Sequence, residues 1–159
     1  MEAGAVELVH GTAIALAGRA ALIRGPSGAG KSDLALRCLM QPPTRLLPIA
    51  VELVADDQVL IERHDYNLWV RSPPATYGLL EVRGLGIIRI PAIESAQLSL
   101  VVDLVVADKM ERMPEARRDV VVAGVPAPYI ELAPFEVSAP FKLLLALQEA
   151  SARLDHNSN

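Results

Sequence analysis

The apolar positions of this chain fall into short runs cut by glycine, proline and acidic turns, a pattern that predicts many strands and few helices. Ala13-Ile14-Ala15-Leu16 and Ala20-Ala21-Leu22-Ile23 flank Gly18-Arg19 and read as a hairpin. Residues 33–40 follow, with Leu34, Ala35, Cys38 and Leu39 at helical spacing, and Gln41-Pro42-Pro43-Thr44 breaks the chain. Residues 51–55 and 58–63 are strand candidates on either side of Asp56-Asp57. Asp65-Tyr66-Asn67 reads as a turn before a strand at 68–71. Ser72-Pro73-Pro74 opens a loop, and residues 79–88 are strand-like again, with Gly84 and Gly86 suggesting a bulge or a close backbone approach.

Residues 98–106 form a nearly unbroken apolar run whose one charge is Asp103, as expected of a central strand. The charged segment 109–118 reads as a solvated loop, and residues 120–123 and 129–132 as short strands. A second helix is predicted over 140–154, with Pro140 near its start and Phe141, Leu144, Leu145, Leu147 and Gln148 setting an amphipathic face. The residues before His10 carry no clear signal, and 155–159 read as frayed. Strands outnumber helices, so the fold class is a strand-rich α/β single domain spanning 1–159, its core at about 10–154.

A chain of 159 residues is long enough to bury a core, and with 52% hydrophobic but only 4% aromatic residues that core must be aliphatic. The net charge of −4 argues against nucleic acid as a partner, because binding a phosphate backbone needs a basic surface. Cys38 is the single cysteine, which excludes an internal disulfide and a cysteine-built zinc site; its place on the apolar helix face predicts a packed thiol. No apolar run reaches the length of a membrane span, and the N-terminus lacks the layout of a signal peptide, so a cytoplasmic location is expected.

One segment carries chemistry of its own. Gly25-Pro26-Ser27-Gly28-Ala29-Gly30-Lys31-Ser32 fits the phosphate-binding loop G-x-x-x-x-G-K-[ST]. Its glycines allow backbone N–H groups to cradle a polyphosphate, Lys31 reaches the β- and γ-phosphates, and the Ser32 hydroxyl can ligate Mg²⁺. A strand before it and a helix after it complete the arrangement the motif requires, since the helix N-terminus adds free N–H groups.

Transfer of a phosphoryl group needs more than a loop: a metal site and somewhere for a proton to go. Asp56 and Asp57 follow a strand candidate, where a loop would face the nucleotide. Consecutive extended residues point to opposite sides, so only one of the pair is expected to aim at the phosphates. Glu81 lies among Leu79, Leu80 and Val82, where unpaired burial would be costly; either Mg²⁺ or Arg83 would relieve that cost. His10 taken alone reads as a structural or exposed histidine, and His64 and His156 are assigned no role.

His10-Gly11, the loop 25–32, Val54-Ala55-Asp56-Asp57 and above all Leu80-Glu81-Val82-Arg83-Gly84-Leu85-Gly86-Ile87-Ile88 together resemble the catalytic domain of HPr kinase/phosphorylase, over roughly residues 10–106. The resemblance implies an ATP-dependent protein serine kinase that phosphorylates HPr or a related phosphocarrier. Gly25, Pro26, Ser27, Gly28, Ala29, Gly30, Lys31 and Ser32 would hold ATP or pyrophosphate, and Ser32 and Glu81 would ligate Mg²⁺. Asp57 would take the proton from the acceptor serine, His10 would tune that aspartate, and Lys31 would stabilise the transferred charge.

The family also runs the reverse, phosphorolytic reaction and forms hexamers, so a homo-oligomer is implied. Longer members carry an N-terminal domain, further C-terminal helices and a basic loop for dephosphorylation. Residues 120–129 stand where that loop belongs and contain no Lys or Arg, although Arg117 and Arg118 precede them. The chain therefore reads as a short form of the family, with phosphorylase activity weak or absent. Two other readings remain in view: a nucleotide- or phosphate-sensing module that binds without transfer, and a small-molecule kinase of similar build.

Overall fold

A computed structural model describes residues 4–114 and 117–157. In chain order the elements are β1 Val6–His10, β2 Thr12–Leu16, β3 Arg19–Arg24, α1 Lys31–Leu39, β4 Val51–Ala55, β5 Gln58–His64, β6 Asn67–Arg71, β7 Leu79–Val82, β8 Gly86–Arg89, β9 Ser95–Leu104, β10 Arg118–Val122, β11 Val125–Leu132 and α2 Ala139–Asn157. A nine-stranded sheet runs β1-β5-β6-β9-β3-β2-β4, with β11 also on β9 and β10 on β11; β7 and β8 form a separate hairpin. The expected strand-rich α/β class is the one observed.

Side-chain alternation splits the core into two layers. In β3, Ala20 and Leu22 join one cluster, while Ala21 and Ile23 join the other. The second cluster is capped by both helices, through Leu34, Ala35 and Cys38 of α1 and Leu143, Leu144 and Leu147 of α2. The first lies on the opposite face, where Val59, Ile61, Leu68 and Val70 of β5 and β6 pack with Val101 of β9. A strand covered on both faces has no solvated side, which is why β3 and β9 read as unbroken apolar runs.

Strand β9 is central, as its composition predicts. Its parallel pairing with β3 occupies one edge; β6 takes the first part of the other edge, at 95–97, and β11 the last, at 101–104. Asp103 is tolerated in that apolar run because Arg24 stands opposite it in register. The guanidinium donates from Nε to Oδ1 at 2.7 Å and from a terminal nitrogen to Oδ2 at 3.0 Å, a bidentate pair that holds Arg24 above its ordinary pKa.

Four readings change. The segment before His10 is not structureless, since Val6–His10 pairs antiparallel with β5; exposed alternate positions such as Val6 and Leu8 hide this from a search for buried periodicity. Helix α2 continues to Asn157, so 155–157 are helical rather than frayed. Its buried face comprises Leu143, Leu144, Leu147 and Ala150, while Phe141 and Leu145 stand exposed. The charged segment 109–118 begins in a single 3-10 turn, Ala107–Lys109, and ends in β10; residues 115–116 within it, like 158–159, lie outside the described ones. Among the described residues no helix is long and apolar enough to cross a membrane.

Cys38 is fully enclosed, and burial pushes its thiol up to about 12. Thiol reagents at pH 8 are expected to label it only after unfolding, a result that mass spectrometry reads directly. Leu147→Ala should cost about 2–5 kcal/mol in urea denaturation, because α2 cannot collapse into the void, whereas Phe141→Ala should cost less than about 1 kcal/mol.

Candidate active site

Strands β3, β9 and β11 are parallel, and β4 is antiparallel to β2, which is antiparallel to β3. Four strand C-termini therefore meet along one edge of the sheet, the edge where open α/β sheets bind ligands. The loop 25–32 leaves β3 at that edge and enters α1.

Gly28 and Gly30 adopt positive φ, at 81° and 97°. Left- and right-handed residues alternating in this way line one concave side with backbone N–H groups. Helix α1 has no side-chain N-cap, which leaves its first-turn donors for an anion. Lys31 is buried to 8% exposure, and its ammonium donates to the carbonyls of Gly25 at 2.7 Å and Pro26 at 3.0 Å, closing the loop on itself.

Beneath the loop sits Asp56, 4% exposed, at the end of β4. Its Oδ1 accepts from Ser32 Oγ at 2.7 Å and from Thr12 Oγ1 at 2.8 Å, and its Oδ2 accepts from the Glu81 N–H at 3.0 Å. One carboxylate thus joins α1, β2 and β7. The sequence weighs Asp56 with Asp57 and, through the resemblance, assigns the site role to Asp57. The signal for Asp56 was present: a buried apolar strand end, Leu53-Val54-Ala55, running into an acid is the form of a Walker-B strand.

One of the pair Asp56-Asp57 is expected to face the site, and one does line the cleft, although not through strand alternation, since the φ of 67° at Asp57 takes it out of extended geometry. Asp56 points in beneath the loop while Asp57 lines the cleft, with His10 Nε2 3.5 Å from its Oδ1. Gly11 makes that approach feasible. Its N–H donates to the Asp57 carbonyl at 3.0 Å, and a Cβ there would lie 2.8 Å from the Ile23 carbonyl oxygen, so no larger residue fits. His10 is therefore exposed, as expected, and also aimed at the cleft.

Glu81 is exposed rather than buried, since β7 turns Leu80 inward and its neighbour outward. The burial cost that would call for a partner does not arise, and no ion pair with Arg83 occurs among the described residues. The bulge expected at Gly84 and Gly86 is instead a hairpin turn, closed by Leu85 N–H to the Val82 carbonyl at 2.9 Å. Both glycines take the positive φ that this turn requires.

His10, Lys31, Ser32, Asp57 and Glu81 all line one cleft of about 460 Å³, together with Arg83 and Phe135, which sequence reasoning did not assign. Among the described residues no three His, Cys, Asp or Glu side chains gather into a metal cage. The oxygen donors of Ser32 and Glu81, backed by Asp56, suit Mg²⁺, which takes one or two protein ligands and completes its shell with phosphate and water. Arg118 is elsewhere: it stacks over Tyr129 at 5.4 Å and pairs with Glu131 at 3.8 Å, beside a different cavity against α2.

Residues 3–139 match the family model described as HPr Serine kinase C-terminal domain. The chain belongs to this family. Among its relatives, HPr kinase/phosphorylase of Clostridium perfringens (strain SM101 / Type A) is 42% identical over 85 residues, covering 54% of this chain and 25% of that protein. HPr kinase/phosphorylase 1 of Oceanobacillus iheyensis is 38% identical over 104 residues, covering 60% of this chain and 31% of that protein. The chain thus spans about a quarter to a third of the length of these curated relatives. The structure of the Hpr(Ser) kinase/phosphatase from Coxiella burnetii superposes with a TM-score of 0.76 at 20% identity, covering 94% of this chain and 99% of that one, a likeness of fold.

Asp56→Ala would strand a buried hydroxyl on Thr12 and an amide on Glu81, and should lower stability by at least about 2 kcal/mol. Urea midpoints of the two single variants Asp56→Ala and Asp57→Asn check this, since the exposed Asp57 should leave the midpoint in place.

Proposed function

We propose that this domain is an ATP-dependent serine kinase acting on HPr or a related phosphocarrier, with phosphorylase activity weak or absent. One observation carries the reading: the Asp57–His10 pair, 3.5 Å apart, faces the same cleft as Lys31, Ser32 and Glu81. A loop that only binds nucleotide has no use for a base beside it; a phosphoryl-transfer site does.

In this reading the loop 25–32 holds the triphosphate and Lys31 leaves the Gly25 and Pro26 carbonyls to meet the β- and γ-phosphates. Ser32 and Glu81 hold Mg²⁺, which when bound neutralises charge on the transferring group. Asp56 keeps Ser32 and the Glu81 backbone in register. Asp57 accepts the proton of the acceptor hydroxyl as its oxygen bonds to the γ-phosphorus and the bridging P–O bond to the β-phosphate breaks, releasing ADP. His10 orients Asp57.

The reverse direction lacks support in this chain. Residues 120–129 make the β10–β11 hairpin, closed by the tight turn Ala123-Gly124, and supply no cation to the cleft. The homo-oligomeric assembly implied by the resemblance, and the cytoplasmic location expected from the sequence, belong to the same proposal.

Incubation with labelled ATP, Mg²⁺ and HPr should place label on the carrier. Asp57→Asn should lower transfer by at least about 100-fold while nucleotide affinity stays within about threefold. Nucleotide binding with no transfer to any carrier would overturn the kinase in favour of a sensing module.

A further inference from the structure

The catalytic side chains lie to one side of the phosphate loop, toward β2 and β4. The other side is built differently. There the C-terminal ends of β9 and β11 border an apolar groove of about 510 Å³, lined by Pro26 and Ala29 of the loop, by Leu104 and Val106, and by Pro134 and Phe135. We propose that this groove seats the nucleobase of the bound nucleoside triphosphate, stacked on Phe135, with little discrimination between adenine and guanine. The inference rests on the nucleotide reading above.

Three observations converge on it. The groove and the cleft are neighbours on the two sides of the loop, and Phe135 lines both. A triphosphate lying in the loop with its γ-phosphoryl group toward Asp57 must project its nucleoside away from β4, along the edge formed by the parallel strand ends, where such sheets take ligands. Phe135 is an exposed aromatic set against the loop. It is 74% exposed, yet its Cε1 and Cζ stand 3.1 Å from where a Cβ on Gly30 would sit. Exposed apolar surface beside a binding loop calls for an occupant, and any base can stack on an aromatic ring.

The ring is also held in place. Arg37 of α1 donates to the carbonyl of Pro134, and to that of Glu136 at 3.5 Å, pinning both flanks of Phe135 to the helix that the loop feeds. Those bonds engage the groove's nearest carbonyls. Glu136 is the one charged side chain lining the groove, and Lys142 Nζ holds its carboxylate at 2.6 Å. The other side chains lining the groove are apolar, so apolar contact and stacking must supply the affinity.

The test uses the full chain with Mg²⁺ and three probes in calorimetry: the non-hydrolysable analogues AMP-PNP and GMP-PNP, and inorganic tripolyphosphate. Phe135→Ala should weaken AMP-PNP and GMP-PNP by roughly tenfold each and leave tripolyphosphate within about twofold; Phe135→Trp should restore the nucleotides. Equal loss for tripolyphosphate would overturn the proposal, because Phe135 would then support the loop and not the base. Unchanged nucleotide affinity with loss of transfer to HPr would also overturn it, and would give the groove to the protein acceptor. A preference above about thirtyfold between the two purines would refute the stacking-only groove. If tripolyphosphate fails to bind the wild-type chain, the phosphate-loop reading itself falls and takes the base site with it.

Discussion

The carboxylate of Asp56 is the constraint on which the site depends. It is buried, it accepts three hydrogen bonds, and its donors come from three separate elements: the hydroxyl of Thr12, the hydroxyl of Ser32 and the backbone N–H of Glu81. A buried polar group in that position is tolerable because its oxygens are met by donors. The same bonds make it a ruler. They set where the loop 25–32 enters α1 relative to the β7–β8 hairpin, and so hold the two candidate metal ligands Ser32 and Glu81 in register.

Around that hub, the sheet does the positioning. Parallel β3, β9 and β11 and the like-directed β4 end on one edge, and the helices that bury the second core layer hold those ends still. The core is aliphatic and packed on both faces of the central strands, which suits a scaffold that holds its loops in place. The candidate site residues differ in burial: Asp57, His10 and Glu81 stand open to the cleft, whereas Asp56 and Lys31 are enclosed.

Much of this was legible in the residues. The hairpin β2–β3, helix α1, the central strand β9 and helix α2 follow from periodicity and turn chemistry, because each is a local consequence of its own segment. Strand β1 escaped because it pairs at an edge with its side chains largely in water, so no burial pattern marks it. The buried face of α2 was misjudged at Phe141 and Leu145 because helical spacing shows that a stripe exists, not which side the sheet will cover. Gly84 and Gly86 marked unusual backbone correctly, yet a turn and a bulge make the same demand on a glycine.

The sequence by itself determined the G-x-x-x-x-G-K-S motif and the strand-rich class, which are matters of residue type and local spacing, and only through the family resemblance did it single out His10, Asp57 and Glu81 beside Lys31 and Ser32. Tertiary structure alone decided where each of them stands. Whether Asp56 or Asp57 faces the cleft depends on one residue turning left-handed, and whether Glu81 is buried depends on which face of β7 meets the core. Those outcomes come from contacts between segments 24 to 44 positions apart, such as Ser32 with Asp56 and Thr12 with Asp56, and no local pattern encodes a partner at that distance.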